Sequence, residues 1–227
     1  MKFTKKVLDS GLRVITVPMK DNPTVTVLVM VEAGSKYETK NITGLSHFLE
    51  HMCFKGTLKR PAAKLISSEL DAIGSHYNAF TSQEYTGYYA KAEARHVDKL
   101  LDVVSDLYLN QTLPDVENKK EKGVIVEEIN MYEDMPQRHV FDIYMEVLYG
   151  DQPAGWEIAG TRESVKAMKR EDFVAYRGEH YVGSATTVIV AGNIDEEKIV
   201  ADVEKAFSGI STKMKTQKEK VTEVQSA

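Results

Sequence analysis

The sequence has one cysteine in 227 residues, Cys53, which excludes an intramolecular disulfide and a multi-cysteine zinc ribbon. It has no apolar run approaching the ~20 residues of a membrane span. The basic opening Met1-Lys2-Phe3-Thr4-Lys5-Lys6 leads into Asp9, Ser10, Gly11 and Arg13 instead of an apolar core, so no secretory leader is expected. A basic surplus is also missing. The formal net charge is −5 and spread along the chain, which argues against nucleic-acid binding. The expectation is a soluble, cytoplasmic protein. With 42% hydrophobic and 28% charged residues the composition is that of a globular domain with ample material for a core.

What is present is a sequence of strands followed by helices. Residues 3–18 read as a hairpin turning at Asp9-Ser10-Gly11, and the β-branched run Thr24–Val31 as a buried strand. Helical spacing runs from Gly44 to Phe54, with Leu45, Phe48, Leu49 and Met52 as its apolar stripe. Pro61 suits the first turn of a second helix that stops at Gly74. Two strands follow, Tyr77–Thr81 and Tyr85–Ala92, joined through Ser82-Gln83-Glu84. Helices are then expected over Arg95–Leu109, from Pro114 to about Glu133, over Val140–Tyr149 and over Glu171–His180. A strand at Ala185–Val190 and a helix capped by Asp195, Glu196–Phe207, close the pattern. This order implies an α+β fold: a mainly antiparallel sheet with helices on one face. The domain is expected over 1–208. Residues 209–227, rich in Lys, Thr, Glu and Gln, read as a linker or the start of a further half.

The chemistry concentrates in His47-Phe48-Leu49-Glu50-His51. Two histidines four apart on a helix project from one face, one turn apart, and can share one Zn²⁺ at ~2.0–2.1 Å. Glu50, on the same face, is placed to take a proton from a water that zinc acidifies to a pKa of about 7. A third ligand is sought on the long helix, where Glu121 and Glu128 lie two turns apart on one face with Val124, Ile125, Ile129 and Tyr132. Glu127 points about 100° away, toward Lys120 and Asn130. A carboxylate in an apolar stripe has to be paired or metal-bound, so Glu128 is the expected ligand and Glu121 its supporting neighbour. His76, His96, His139 and His180 lack partners at ligand spacing. Cys53 faces away from the metal as a core thiol, and Met131, Met135 and Met145 read as core or interface filler.

His-x-x-Glu-His, with Glu128 in Val126-Glu127-Glu128-Ile129 77 residues beyond the second His, resembles the pitrilysin/insulinase family of inverted zincins. So do Gly44-Leu45-Ser46, Phe54-Lys55-Gly56-Thr57, Asn78-Ala79-Phe80-Thr81-Ser82, Gly160-Thr161 and Ala191-Gly192-Asn193. The resemblance implies a zinc endopeptidase with His47, His51 and Glu128 as ligands, Glu50 as general base and Glu121 as supporting acid. It also implies that Asn78, Ala79, Phe80 and Thr81 form an edge strand on which a peptide substrate adds. Family members of this kind carry two homologous halves, and no second motif region follows Ser208. The chain is therefore expected either to be a piece of a longer one or to work with a separate homologous half, and to turn over substrate weakly alone. A second reading is a non-catalytic, peptide-presenting partner of the same family. The complete set of His and Glu positions favours the enzyme.

Overall fold

The computed structural model describes residues 2–223. The hairpin forms as β1 (Thr4–Val7) and β2 (Arg13–Pro18), closed by Gly11 at φ +82°, a left-handed conformation that glycine adopts without strain. β3 (Thr24–Val31) alternates half-buried Thr and Met with fully buried Val25, Val27, Val29 and Val31, the signature of a strand covered on one face. After α1 (Leu45–Cys53) and α2 (Ala63–Asp71) come β4 (His76–Thr81) and β5 (Thr86–Glu93). α3 (Val97–Leu109), α4 (Asp115–Glu133), α5 (Pro136–Tyr149), α6 (Arg162–Ala167) and α7 (Arg170–His180) follow, then β6 (Thr186–Gly192) and α8 (Glu196–Ala206).

The strands form one mixed sheet in the order β1-β2-β6-β3-β5-β4. β2 and β6 pair in parallel and the other neighbours antiparallel, because the last strand inserts between the hairpin and β3. α3 packs against β3 and β5, and α8 against β2. The core between sheet and helices is built on Tyr88, Tyr108, Phe48 and Phe173. This is the α+β architecture expected from the sequence. No helix among the described residues is long and apolar enough to cross a membrane.

Four details depart from expectation. Pro61 stays outside α2, which starts at Ala63 after an extended Ala62. The short α6 is an unexpected helix, set by Thr161 and Ser164 in a reciprocal capping box. Met131 and Met135 are exposed, not core. The stretch after Ser208 is extended but pinned to the body: Lys215 pairs with Glu32, Lys218 Nζ lies 2.5 Å from Glu84, and Thr222 exchanges two hydrogen bonds with Gln152.

Candidate metal and catalytic site

α1 presents two faces. Leu45, Phe48, Leu49, Met52 and Cys53 are fully buried, with Phe48 edge-on to Phe173 (4.8 Å between centroids) and the Cys53 thiol against the Tyr88 hydroxyl. Burial pushes that thiol up to about 12, so it is a core group rather than a nucleophile. The opposite face carries His47, Glu50 and His51 toward α4 and β4.

The N-terminus of α1 is fixed by groups with no helical signal of their own. Gly44 caps it at φ +90°, and a Cβ there would lie 2.4 Å from the Ala159 carbonyl oxygen. Gly160 mirrors this: its Cβ would lie 2.2 Å from the Thr43 carbonyl oxygen, which also accepts a hydrogen bond from Ser164 (2.7 Å). Beneath them the buried Glu38 carboxylate accepts from the Gly44 N–H (2.8 Å) and the Ser46 N–H (2.6 Å), two of the helix's otherwise unpaired amides. Burial nonetheless outweighs these hydrogen bonds and raises the Glu38 carboxyl to about 7.

Among the described residues, one group of ligand atoms converges: His47, His51 and Glu128 each bring an atom within 4.8 Å of the others. Glu128 Oε2 lies 3.4 Å from His51 Nε2 and 3.7 Å from His47 Nε2. A tetrahedral centre with ~2.0–2.1 Å bonds separates its donors by about 3.4 Å, so this donor set fits zinc. The remaining atoms of two of these side chains are tied back. His51 Nδ1 donates to Glu121 Oε1 (2.9 Å), whose other oxygen meets Lys55 Nζ (2.6 Å). Tyr132 donates to Glu128 Oε1, and the Arg138 guanidinium stacks 3.5 Å over the Tyr132 ring. His47 Nδ1 is buried without a hydrogen-bond partner.

The electrostatics follow from these contacts. Burial, with the His51 charge next to it, lowers His47 to about 4. Burial pulls His51 the same way, but the carboxylates of Glu121, Glu128 and Glu50 prevail and lift it to about 9. Hydrogen bonding to His51, more than offsetting burial, holds Glu128 at about 2. Burial opposes ionisation of Glu121 too, and His51 and Lys55 overcome it, so its carboxyl lies below the usual range. Burial raises Glu50, while the Thr81 hydroxyl, donating to Glu50 Oε2 at 2.9 Å, works the other way. Burial and the Glu128 charge raise the Tyr132 phenol to about 12, which leaves it a donor.

The structure brings His47, Glu50, His51, Glu121, Glu128 and Thr81 together. β4 is the edge strand of the sheet, paired only with β5. Thr81 and Ala79 lie on the α1 side. Asn78 and Phe80 alternate to the other face, where Phe80 covers Gly87 and Asn78 accepts from the Ala79 N–H. His180 is buried beside Tyr37 and Tyr176, remote from this group. Sequence reasoning missed the parts played by Glu38, Lys55, Tyr132 and Arg138. Lys55 and Tyr132 each follow a site residue by four, and that helical spacing was the available signal.

Comparison with known proteins agrees with this picture. The profile described as "Insulinase (Peptidase family M16)" matches residues 13–162, and that of the "Peptidase M16 inactive domain" matches residues 167–226. The chain belongs to the M16 peptidase family. This M16 chain is 40% identical over 209 residues to the uncharacterized zinc protease YmxG of Bacillus subtilis, covering 91% of the chain and 50% of that protein. It is 37% identical over 195 residues to the human mitochondrial-processing peptidase subunit beta, covering 85% of the chain and 39% of that protein. A protease from Helicobacter pylori superposes with TM-score 0.89 at 23% identity, over 98% of this chain and 54% of its own, which shows a shared fold. The chain thus spans about half the length of these curated relatives, or less.

Proposed function

We propose that this chain is the metal-binding half of a zinc-dependent endopeptidase, with His47, His51 and Glu128 as ligands and Glu50 as general base. The observation that carries the reading is the convergence of two imidazole nitrogens and one carboxylate oxygen within 4.8 Å, next to a buried glutamate on the same helix. Its peptidase relatives supply the reaction class. Zinc, when bound, supplies a Lewis acid that polarises the scissile carbonyl and acidifies water.

The protein's own groups do the rest. An extended peptide adds to the open edge of β4 by main-chain hydrogen bonds, which places a backbone carbonyl beside α1. Asn78, Ala79, Phe80 and Thr81 offer that edge. Glu50 takes a proton from the attacking water and returns it to the leaving amine. Its buried setting, which raises its carboxyl, suits both directions of transfer. Glu121 holds the His51 ring through Nδ1 so that Nε2 faces the metal.

A second homologous half, in the same chain or as a separate subunit, is the proposed partner. α5 supports this, because Val140, Phe141, Ile143, Tyr144 and Val147 are all exposed and none of its residues is buried. The chain alone is then expected to bind zinc and cleave peptides weakly. The alternative, a non-catalytic partner, draws on the "inactive domain" match, but that match covers residues 167–226 and none of the His47, Glu50, His51 and Glu128 set. Metal analysis of the purified chain, with an assay of peptide cleavage with and without chelator, tests the proposal. One equivalent of zinc and chelator-sensitive cleavage are expected. A metal-free protein with intact histidines would sink it.

A further inference from the structure

Glu128 offers two oxygens, and a carboxylate with both free can bind a metal through either or both. Only one of them, Oε2, faces His47 and His51. The other, Oε1, accepts the phenol hydrogen of Tyr132. Tyr132 sits one helical turn along α4 from Glu128, so the pairing is built into four residues of one helix. The Tyr132 ring is itself covered. Arg138, in the first turn of α5 just beyond Pro136, lays its guanidinium 3.5 Å over the ring centroid. The arrangement parallels the other side of the site, where Glu121 occupies His51 Nδ1 and leaves Nε2 to face the same point.

Resting on the zinc-site reading above, we infer that Tyr132 is a positioning residue that restricts Glu128 to one-oxygen metal ligation, with Arg138 clamping its ring. Removing the phenol frees Oε1, lets the carboxylate rotate and approach the metal with both oxygens, and closes part of the position that substrate and water share. A Tyr132 that merely caps a half-exposed glutamate would leave the metal's surroundings unchanged when removed.

The test uses the full chain, Tyr132→Phe and Arg138→Met, loaded with zinc or with cobalt(II), whose visible absorption weakens as coordination rises above four. Chelator competition reads zinc affinity, and far-UV circular dichroism checks the fold. Tyr132→Phe is expected to weaken zinc about 10-fold, within the range for removing a group that hydrogen-bonds a ligand, and to lower the cobalt absorption. Arg138→Met, a surface change that keeps the fold at risk to a minimum, is expected to move both readouts less in the same direction. Unaltered affinity and spectrum in Tyr132→Phe, with wild type binding one equivalent, would overturn the inference and leave the zinc site standing. Should Tyr132→Phe fail to fold, an unaltered cobalt spectrum in Arg138→Met overturns the clamp. A wild-type chain that binds neither metal overturns both readings.

Discussion

Two charge clusters are packed into this chain, and they are built on opposite plans. In the first, Arg60 donates to Asp106 (2.8 Å), Glu69 (2.9 and 3.1 Å) and Asp102 (2.5 Å), while Thr57 and Asn110 also donate to Asp106. Lys59 and Lys99 complete Asp102 and Glu69. Every carboxylate there meets a donor, and the cluster stitches the segment after α1 to α2 and α3. The second, around His47, His51 and Glu128, is short of donors on its inward side. His51 Nε2 and His47 Nε2 both face one oxygen, Glu128 Oε2, at 3.4 and 3.7 Å, and His47 Nδ1 has no hydrogen-bond partner. Buried polar groups are normally paired. A closed cluster therefore holds structure, and one whose ligand atoms converge on a single point is the arrangement proposed above to take zinc.

Changing the chemistry without changing the fold should give the largest effect. Glu50→Gln keeps the shape of the side chain but cannot take a proton, so peptide cleavage should fall by roughly 10²–10⁴-fold. Zinc content should stay at the wild-type level. If Glu50→Gln cleaves at the wild-type rate, Glu50 is not the base. The opposite behaviour is expected of the closed cluster. Arg60→Met leaves the buried Asp106 with its Thr57 and Asn110 donors but without its counter-charge, and the loss should be about 3–5 kcal/mol in urea unfolding. It should be the same with and without chelator. His47→Ala should do the reverse, with little change in metal-free stability and loss of the extra stability that zinc confers by binding only the folded state. A large metal-free loss for His47→Ala, or a chelator-dependent loss for Arg60→Met, would erase the distinction between the clusters.

The sequence makes one part of this contrast easy to read. His47, Glu50 and His51 are visible because a four-residue spacing fixes their common face whatever surrounds them, and Glu128 because it interrupts an apolar stripe on α4. In the structure that stripe is narrower than the sequence implies: Ile125 and Ile129 are buried, but Val124 is exposed. The strands were legible from alternation, as in β3. What stayed hidden depends on tertiary approach. Arg60 and Asp106 are 46 residues apart and look like surface charges in sequence. Glu38 lies in a non-periodic segment, and nothing local announces that its carboxylate sits under α1. The pinned stretch after Ser208 has the composition of a linker, and its ion pairs with Glu32 and Glu84 arise only once the sheet is folded.

Glu38 also sharpens the comparison through pH. It is buried like Asp106, yet its partners are two backbone amides and the Ser46 hydroxyl, with no cation. Its folded pKa, about 7, stands above the ordinary 4.5. Between those values the folded state holds a proton that the unfolded state has lost, so stability declines as pH rises from about 4.5 to 7 and levels off above. Glu38→Gln removes this titration. The stability advantage of wild type over Glu38→Gln should shrink across that window by on the order of 3 kcal/mol. A difference that stays flat from pH 4.5 to 7 would mean that Glu38 remains ionised and belongs with the closed cluster.

Glu50 stands between the two plans, and the smallest effect should be found there. One of its oxygens accepts from Thr81, so a single hydroxyl donor orients the carboxylate without neutralising it. Thr81 is also the last residue of β4, which ties the direction of Glu50 to the strand edge where a peptide is proposed to add. Thr81→Val keeps the shape and the strand propensity but deletes the hydroxyl. A hydrogen bond to a charged group is worth about 1.5–3 kcal/mol, and because Thr81 is only partly buried the lower end is expected, about tenfold in rate. The loss should fall on kcat, with KM little changed, because β4 still offers its main chain. Thr81→Ser restores the hydroxyl and should restore the rate. If Thr81→Val keeps the wild-type rate while Thr81→Ser loses it, the methyl group and not the hydrogen bond matters, and Thr81 acts through packing alone.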